Sequence, residues 1–186
     1  PVVLGNHATV IATPDQKVRL TVWSALGKEG RIAIGNCALI CPGVRISAAT
    51  EIVIGEGCML ARGAFVTDSD WHGVYDRSLP VGQTIPVHID ENVWIGDGAI
   101  VCKGVRIGKN SIVGAGAVVV RDIPANAIAA GNPAEVVKQL DAGRPMRTRA
   151  DWLADPGALA AQFEAIDRHF MKQNSWAGWV RSAIFP

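Results

Sequence analysis

Residues 89–119 read IDENVWIGDGAIVCKGVRIGKNSIVGAGAVV, and an aliphatic side chain returns at every sixth position. The ladder is Ile89, Ile95, Val101, Ile107, Val113 and Val119, with a small residue after it at Gly96, Gly108 and Gly114. An amphipathic helix repeats its apolar face at three and four, and a half-buried strand alternates at two. A period of six, with one apolar position, one small position and polar turn residues, suits very short strands joined by tight bends. Such a unit cannot cover its own apolar side, so the units must stack into a solenoid.

The same step runs upstream. Ile34, Ile40 and Ile46 are six apart, a two-residue slip falls at Ile52-Val53, and Ile54, Leu60 and Val66 follow. Leu4 and Val10 fit the ladder, whereas Gln16 and Lys28 do not. The pattern is already running at Pro1, which leaves room for a preceding segment. After the repeats the chain changes character. From Pro156 to Gln173, Leu159, Phe163, Ile166 and Phe170 recur at helical spacing, and a short mixed aromatic segment at Ser175–Val180 follows. The expected division is a solenoid over residues 1–140, interrupted at about 67–87, and a helical tail over 141–186. The tail is expected to pack on the solenoid or on a neighbouring subunit.

Composition agrees with this reading. Apolar residues make up 49% of the chain, but aromatics only 6%, and there are 20 glycines, so the core is built from small and branched side chains with glycine turns. A net charge of +1 offers no basic surface for nucleic acid. Cys37, Cys41, Cys58 and Cys102 show no paired spacing and read as reduced thiols of a cytoplasmic protein. No apolar run reaches the roughly 18 residues of a membrane span, and membrane association is not expected.

The units resemble those of the bacterial hexapeptide-repeat transferase family, whose pattern is aliphatic, small, two variable residues, small, variable. The resemblance covers residues 1 to about 140 and is most specific from Val93 to Val137. There it includes Trp94, the exit Arg121-Asp122-Ile123-Pro124, and Gly131-Asn132-Pro133, all similar to the galactoside- and maltose-type sugar O-acetyltransferases. It implies a left-handed parallel β-helix of three units per coil. It also implies a homotrimer with active sites between subunits, and acetyl-CoA as the acyl donor.

The ladder stops after Val66 and resumes at Ile89, and the interruption begins TDSDWHGVYDR at Thr67. Functional residues concentrate on loops held by rigid scaffolds. Moving an acyl group to a hydroxyl or amine needs a base for the acceptor's proton, and imidazole, with a pKa near about 6.5, suits neutral pH. In the family the catalytic histidine lies at the mouth of the interrupting loop, and His72 falls there. A backbone carbonyl or a carboxylate, Asp68 or Asp70, is expected to orient its ring; Asp68, Asp70, Tyr75, Arg77 and Trp94 are also the candidates to meet the acceptor. The resemblance further implies donor contacts at Asp97, Gly114, Ala115, Val120, Arg121 and Lys138. Of these, Asp97 and Val120 depart from the hydroxyl residues of the galactoside enzymes.

The galactoside-binding asparagine and aspartate of that family correspond to Cys41 and Ala49, so a galactoside acceptor is not supported. A saccharide hydroxyl of a surface-polysaccharide or nodulation-type pathway is the expected acceptor, with N-acetylation of an amino sugar as the alternative. A zinc hydratase on the same solenoid needs two histidines five apart, and no such pair exists; no metal is expected. A non-catalytic solenoid leaves the His72 loop without a purpose.

Overall fold

In the computed structural model all residues are described except 26, 27, 173, 174, 185 and 186. Three parallel sheets form the faces of a triangular left-handed β-helix. The first face stacks Val2–Leu4, Arg31–Ile34, Glu51–Ile54, Val87–Ile89 and Arg106–Ile107. The second stacks Thr9–Val10, Leu39–Ile40, Met59–Leu60, Trp94–Ile95, Ile112–Val113 and Ala127–Ala130. The third stacks Arg19–Val22, Arg45–Ala48, Phe65–Thr67, Ile100–Val101 and Val118–Val119.

The six-residue ladder points inward. Ile54, Ile89 and Ile107 lie in register on the first face, Leu60, Ile95 and Val113 on the second, and Val66, Val101 and Val119 on the third. All nine are at most 1% exposed. At roughly 1.5–3 kcal/mol for each fully buried aliphatic side chain, these columns are the main stabilising element of the solenoid. The slip at Ile52-Val53 is absorbed by lengthening: Arg45–Ala48 and Glu51–Ile54 are four-residue strands, and Ile46, Ala48, Ile52 and Ile54 all face the core. Gln16 and Lys28 miss the ladder because the first coil is irregular, with Leu20 and Val22 supplying its inward side chains.

The small residue after each aliphatic is a steric requirement of stacking. A Cβ on Gly96 would stand 2.6 Å from the backbone nitrogen of Ala115 in the next coil. The corner between the first and second faces requires positive φ, and Asn92, Asn110 and Asn126 adopt it at 54°, 61° and 56°. Their side chains form a ladder, Asn92 Nδ2 donating to Asn110 Oδ1 (3.0 Å) and Asn110 Nδ2 to Asn126 Oδ1 (2.9 Å).

At the carboxyl end of the solenoid Glu135–Gln139 extends the second face, pairing antiparallel with Ala127–Ala130. From there residues 141–150 run back along the asparagine corner. Met146 Sδ accepts from Asn92 Nδ2 at 3.6 Å, and Arg149 donates to the Cys37 carbonyl (2.9 Å) and to Thr9 Oγ1 (3.3 Å). The first compact unit therefore extends to Ala150, ten residues beyond the expected boundary, and the second spans Asp151–Pro186.

That second unit holds most of α1 (Arg149–Leu153), then α2 (Pro156–Met171) and α3 (Trp176–Ile184). Pro156 opens α2, and the Asp155 side chain caps it by accepting from Ala158 N at 2.9 Å. The segment read as short and mixed is helical, because Ser175 Oγ accepts from Gly178 N at 3.0 Å and so satisfies a first-turn donor. Phe163, Phe170 and Trp176 are exposed. No helix among the described residues is long and apolar enough to cross a membrane.

Candidate active site

The interruption of the ladder leaves the solenoid at the corner between the third and first faces. It goes out and returns as a ribbon. Ile85 N donates to the Asp68 carbonyl (2.9 Å), Asp70 N to that of Gln83 (3.0 Å) and Gly82 N to that of Asp70 (2.8 Å). Ser69 and Thr84 complete an antiparallel bridge. Residues 71–81 form the tip, so His72 stands where the ribbon ends and the turn begins.

Asp68 anchors the base. Its side chain is fully buried, and its two oxygens accept from Ala49 N (2.8 Å) and Thr50 N (2.7 Å) at the corner of the preceding coil. The next coil holds the ribbon from the other side. Lys103 Nζ pairs with Asp70 Oδ1 at 2.8 Å, and Gly104 N donates to the Ile85 carbonyl at 3.0 Å.

The His72 ring is oriented by main chain. Its Nδ1 lies 3.2 Å from the Leu79 carbonyl oxygen. That oxygen can only accept, which assigns the proton to Nδ1 and leaves Nε2 of the neutral ring with its lone pair free. Of the two kinds of partner expected from the sequence, the ring has the backbone carbonyl, and neither Asp68 nor Asp70 orients it. Both carboxylates are already committed, one to two backbone amides and the other to Lys103. The Leu79 carbonyl is set by a turn at Asp76. Oδ1 of Asp76 accepts from Ser78 Oγ (2.6 Å) and Ser78 N (3.0 Å), and Leu79 N donates to the Asp76 carbonyl (3.4 Å). The two Ser78 donors, hydroxyl first, hold the Asp76 carboxyl below the usual aspartate value. Gly82 passes so close that a Cβ there would stand 2.3 Å from the His72 carbonyl oxygen.

Trp71, beside His72, meets Trp23 edge to face, with ring centroids 5.3 Å apart. Tyr75 and Arg77 lie exposed at the ribbon tip. Trp94 is 45% exposed and points outward from the second face, in register between Met59 and Ile112.

The six expected donor residues fall at separate places. Asp97, Gly114 and Ala115 lie at the corner between the second and third faces, where Gly116 N donates to the Asp97 carbonyl at 2.7 Å. Val120 and Arg121 lie at the corner that carries the His72 ribbon, and Arg121 is ion-paired with Glu135. Lys138 lies opposite Ile128 and lines a depression of about 410 Å³ with Arg144 and Asp141. The third face separates Asp97 and Ala115 from His72, so one chain does not bring them together. Among the described residues no group of three or more His, Cys, Asp or Glu side chains is placed to hold a metal.

Sequence reasoning missed Trp23, Leu79, Asp76 and Lys103. Asp76-Arg77-Ser78 carried a legible signal, since aspartate two residues before a serine is a common turn former.

Residues 86–121 match the family described as bacterial transferase hexapeptide (six repeats). A galactoside O-acetyltransferase of Lactococcus lactis is 39% identical over 110 residues, 59% of this chain and 44% of that protein. A putative acetyltransferase of Saccharomyces cerevisiae is 44% identical over 77 residues, 37% of this chain and 39% of that protein. The chain thus matches less than half the length of these curated relatives. A hexapeptide-repeat acetyltransferase of Vibrio cholerae, solved with acetyl coenzyme A, superimposes with a TM-score of 0.62 at 26% identity, covering 75% of this chain and 71% of that one. The chain carries the repeats and the fold of the bacterial hexapeptide-repeat transferase family.

Proposed function

We propose that this protein transfers an acetyl group from acetyl-CoA to a hydroxyl of a saccharide acceptor, with His72 as the general base. The observation that carries the reading is the contact of His72 Nδ1 with the Leu79 carbonyl at 3.2 Å, because it leaves Nε2 as the proton acceptor. The acceptor hydroxyl gives its proton to Nε2 as its oxygen attacks the thioester carbonyl. The carbon–sulfur bond then breaks, and the imidazolium returns the proton to the departing thiolate. The Vibrio cholerae relative, solved with acetyl coenzyme A, supports the donor.

The donor residues fit a thioester on a long flexible arm. At the Gly114–Ala115–Gly116 corner a Cβ on Gly116 would meet nothing within 4 Å, so there is open space beside Gly116 for pantetheine. Lys138 and Arg144 offer cations to the phosphates. Arg121 would have to exchange Glu135 for a phosphate, which makes it the weaker ligand.

His72 and the Asp97–Ala115 wall stand at different corners, which supports sites shared between copies in a trimer. The outer side of the second face carries Leu39, Met59, Trp94, Ile112 and Ile128 in one register, an apolar row suited to a neighbouring subunit.

The test is thiol release from acetyl-CoA against a panel of sugars, amino sugars and nucleotide sugars, with sedimentation on the same sample. Saturable release with a neutral sugar by a trimer is the expected result, and exclusive use of amino sugars would assign N-transfer instead. A clean monomer at micromolar concentration, or no thiol release with any acceptor, overturns the reading.

A further inference from the structure

We infer that Trp23 and Trp71 form the platform on which the acceptor's sugar ring rests, an inference that builds on the acetyl-transfer reading above. Trp23 follows the third-face strand Arg19–Val22 of the first coil. It therefore occupies the corner from which the His72 ribbon leaves two coils later. The sequence ladder does not require an aromatic there.

The Trp23 backbone is fixed on both sides. Its N–H donates to the Ala48 carbonyl at 2.8 Å, and its own carbonyl accepts from Gly30 N at 3.0 Å. A Cβ on Gly30 would stand 2.6 Å from the Ala48 oxygen, so only glycine lets the chain close behind Trp23. The result is a large aromatic side chain held in place yet 46% exposed. Its edge-to-face contact with Trp71 ties it to the residue immediately before the catalytic histidine.

This combination selects a chemical class. The axial C–H groups of a pyranose make a flat, apolar, weakly positive face that matches the electron-rich face of an indole. The hydroxyls around the ring rim need polar partners, and the partly exposed ion pair of Lys103 with Asp70, the residue before Trp71, supplies charged groups at the root of the same ribbon. A pantetheine arm or a fatty acyl chain has no use for that charged pair, and an open-chain polyol lacks the flat face. The acceptor is therefore a pyranoside, bound with its ring on the exposed indole of Trp23, which Trp71 braces edge to face, and with one hydroxyl directed to His72.

The probes are methyl glucopyranoside, maltose and glucosamine, with sorbitol as the ring-free control. Saturation-transfer NMR on the full chain should show ring-proton contacts for at least one pyranoside and none for sorbitol. Trp23→Ala should raise the acceptor KM about tenfold while the acetyl-CoA KM stays within twofold, and Trp23→Phe should recover most of the loss. Trp71 is left unchanged because its neighbour is the base. An acceptor KM that does not move in Trp23→Ala, a rise in the acetyl-CoA KM instead, or equal NMR contacts for sorbitol would each overturn the platform. So would the lack of any contact from all three pyranosides. If the platform alone is wrong, thiol release dependent on His72 survives; if the transfer reading is wrong, sugars bind without any thiol release.

Discussion

His72 Nδ1 and the Leu79 carbonyl oxygen, seven positions apart in sequence, lie 3.2 Å from each other at the tip of the ribbon. The contact gives the ring one fixed tautomer using main chain alone. It also transfers responsibility for that tautomer to whatever fixes Leu79, namely the Asp76–Ser78 turn.

Asp76→Ala is accordingly expected to lower kcat several-fold, as the Leu79 carbonyl loses its fixed position, and to leave the melting temperature within about 2 °C because the turn is solvent-exposed. The turn also has a pH signature. The folded Asp76 pKa lies below 3.8, so the stabilisation of the turn is present above the unfolded value and is lost as pH falls through the lowered one. Amide chemical shifts of Ser78 and Leu79 should therefore begin to move only at lower pH than an ordinary aspartate would require.

Asp68 has the opposite character, a stability residue with an indirect effect on activity. Its replacement by alanine leaves the Ala49 and Thr50 amides without their carboxylate, one of them at a fully buried corner. Each unsatisfied buried donor costs about 1–3 kcal/mol, so Asp68→Ala should unfold at clearly lower denaturant concentration. An unchanged midpoint would show that the ribbon base is not an anchor.

Gly82→Ala tests how tightly the returning leg presses on His72. The added Cβ would meet the His72 carbonyl oxygen at 2.3 Å, so the tip has to shift. The expected outcome is a loss of at least tenfold in kcat with the solenoid's circular dichroism unaltered. Full activity would mean that the tip tolerates displacement.

Cys58 sets an alkaline limit. Burial pushes its thiol from 9.0 up to about 12, and Sγ donates to the Asp90 carbonyl at 3.0 Å. A raised folded pKa contributes stability that is complete below 9 and is lost as pH rises toward 12. Stability should therefore decline through that window in the wild type and decline less in Cys58→Ala, as measured by urea unfolding at fixed pH values.

The repeat was legible because its cause is local and periodic. An inward aliphatic every sixth residue and a glycine where coils touch are demands that every coil repeats, and Ile95 with Gly96 satisfies both at once. His72 was legible as an interruption of that rhythm. A backbone carbonyl was one of the partners open to its ring, but Leu79 could not be singled out, because a carbonyl has no side-chain signature and Leu79 looks like an ordinary loop residue. Asp68 and Asp70 were natural candidates by proximity, but in the fold the coils on either side claim them. Trp23 escaped notice for a topological reason. It lies on the first coil, where the ladder is weakest, and reaches Trp71 only because both sit at the same corner of the stack. The helical nature of α3 was obscured by Gly178, a poor helix former whose amide the Ser175 cap satisfies.

The central claim is that the free Nε2 of His72 removes the acceptor's proton. It is tested most directly by single-turnover thiol release from acetyl-CoA in His72→Gln, compared with wild type at saturating donor and acceptor. Loss of a general base costs about 10²–10⁴-fold in rate, so the account predicts a fall in that range with acetyl-CoA affinity close to wild type. Release within about threefold of wild type would contradict it, since proton removal would then rest with another group.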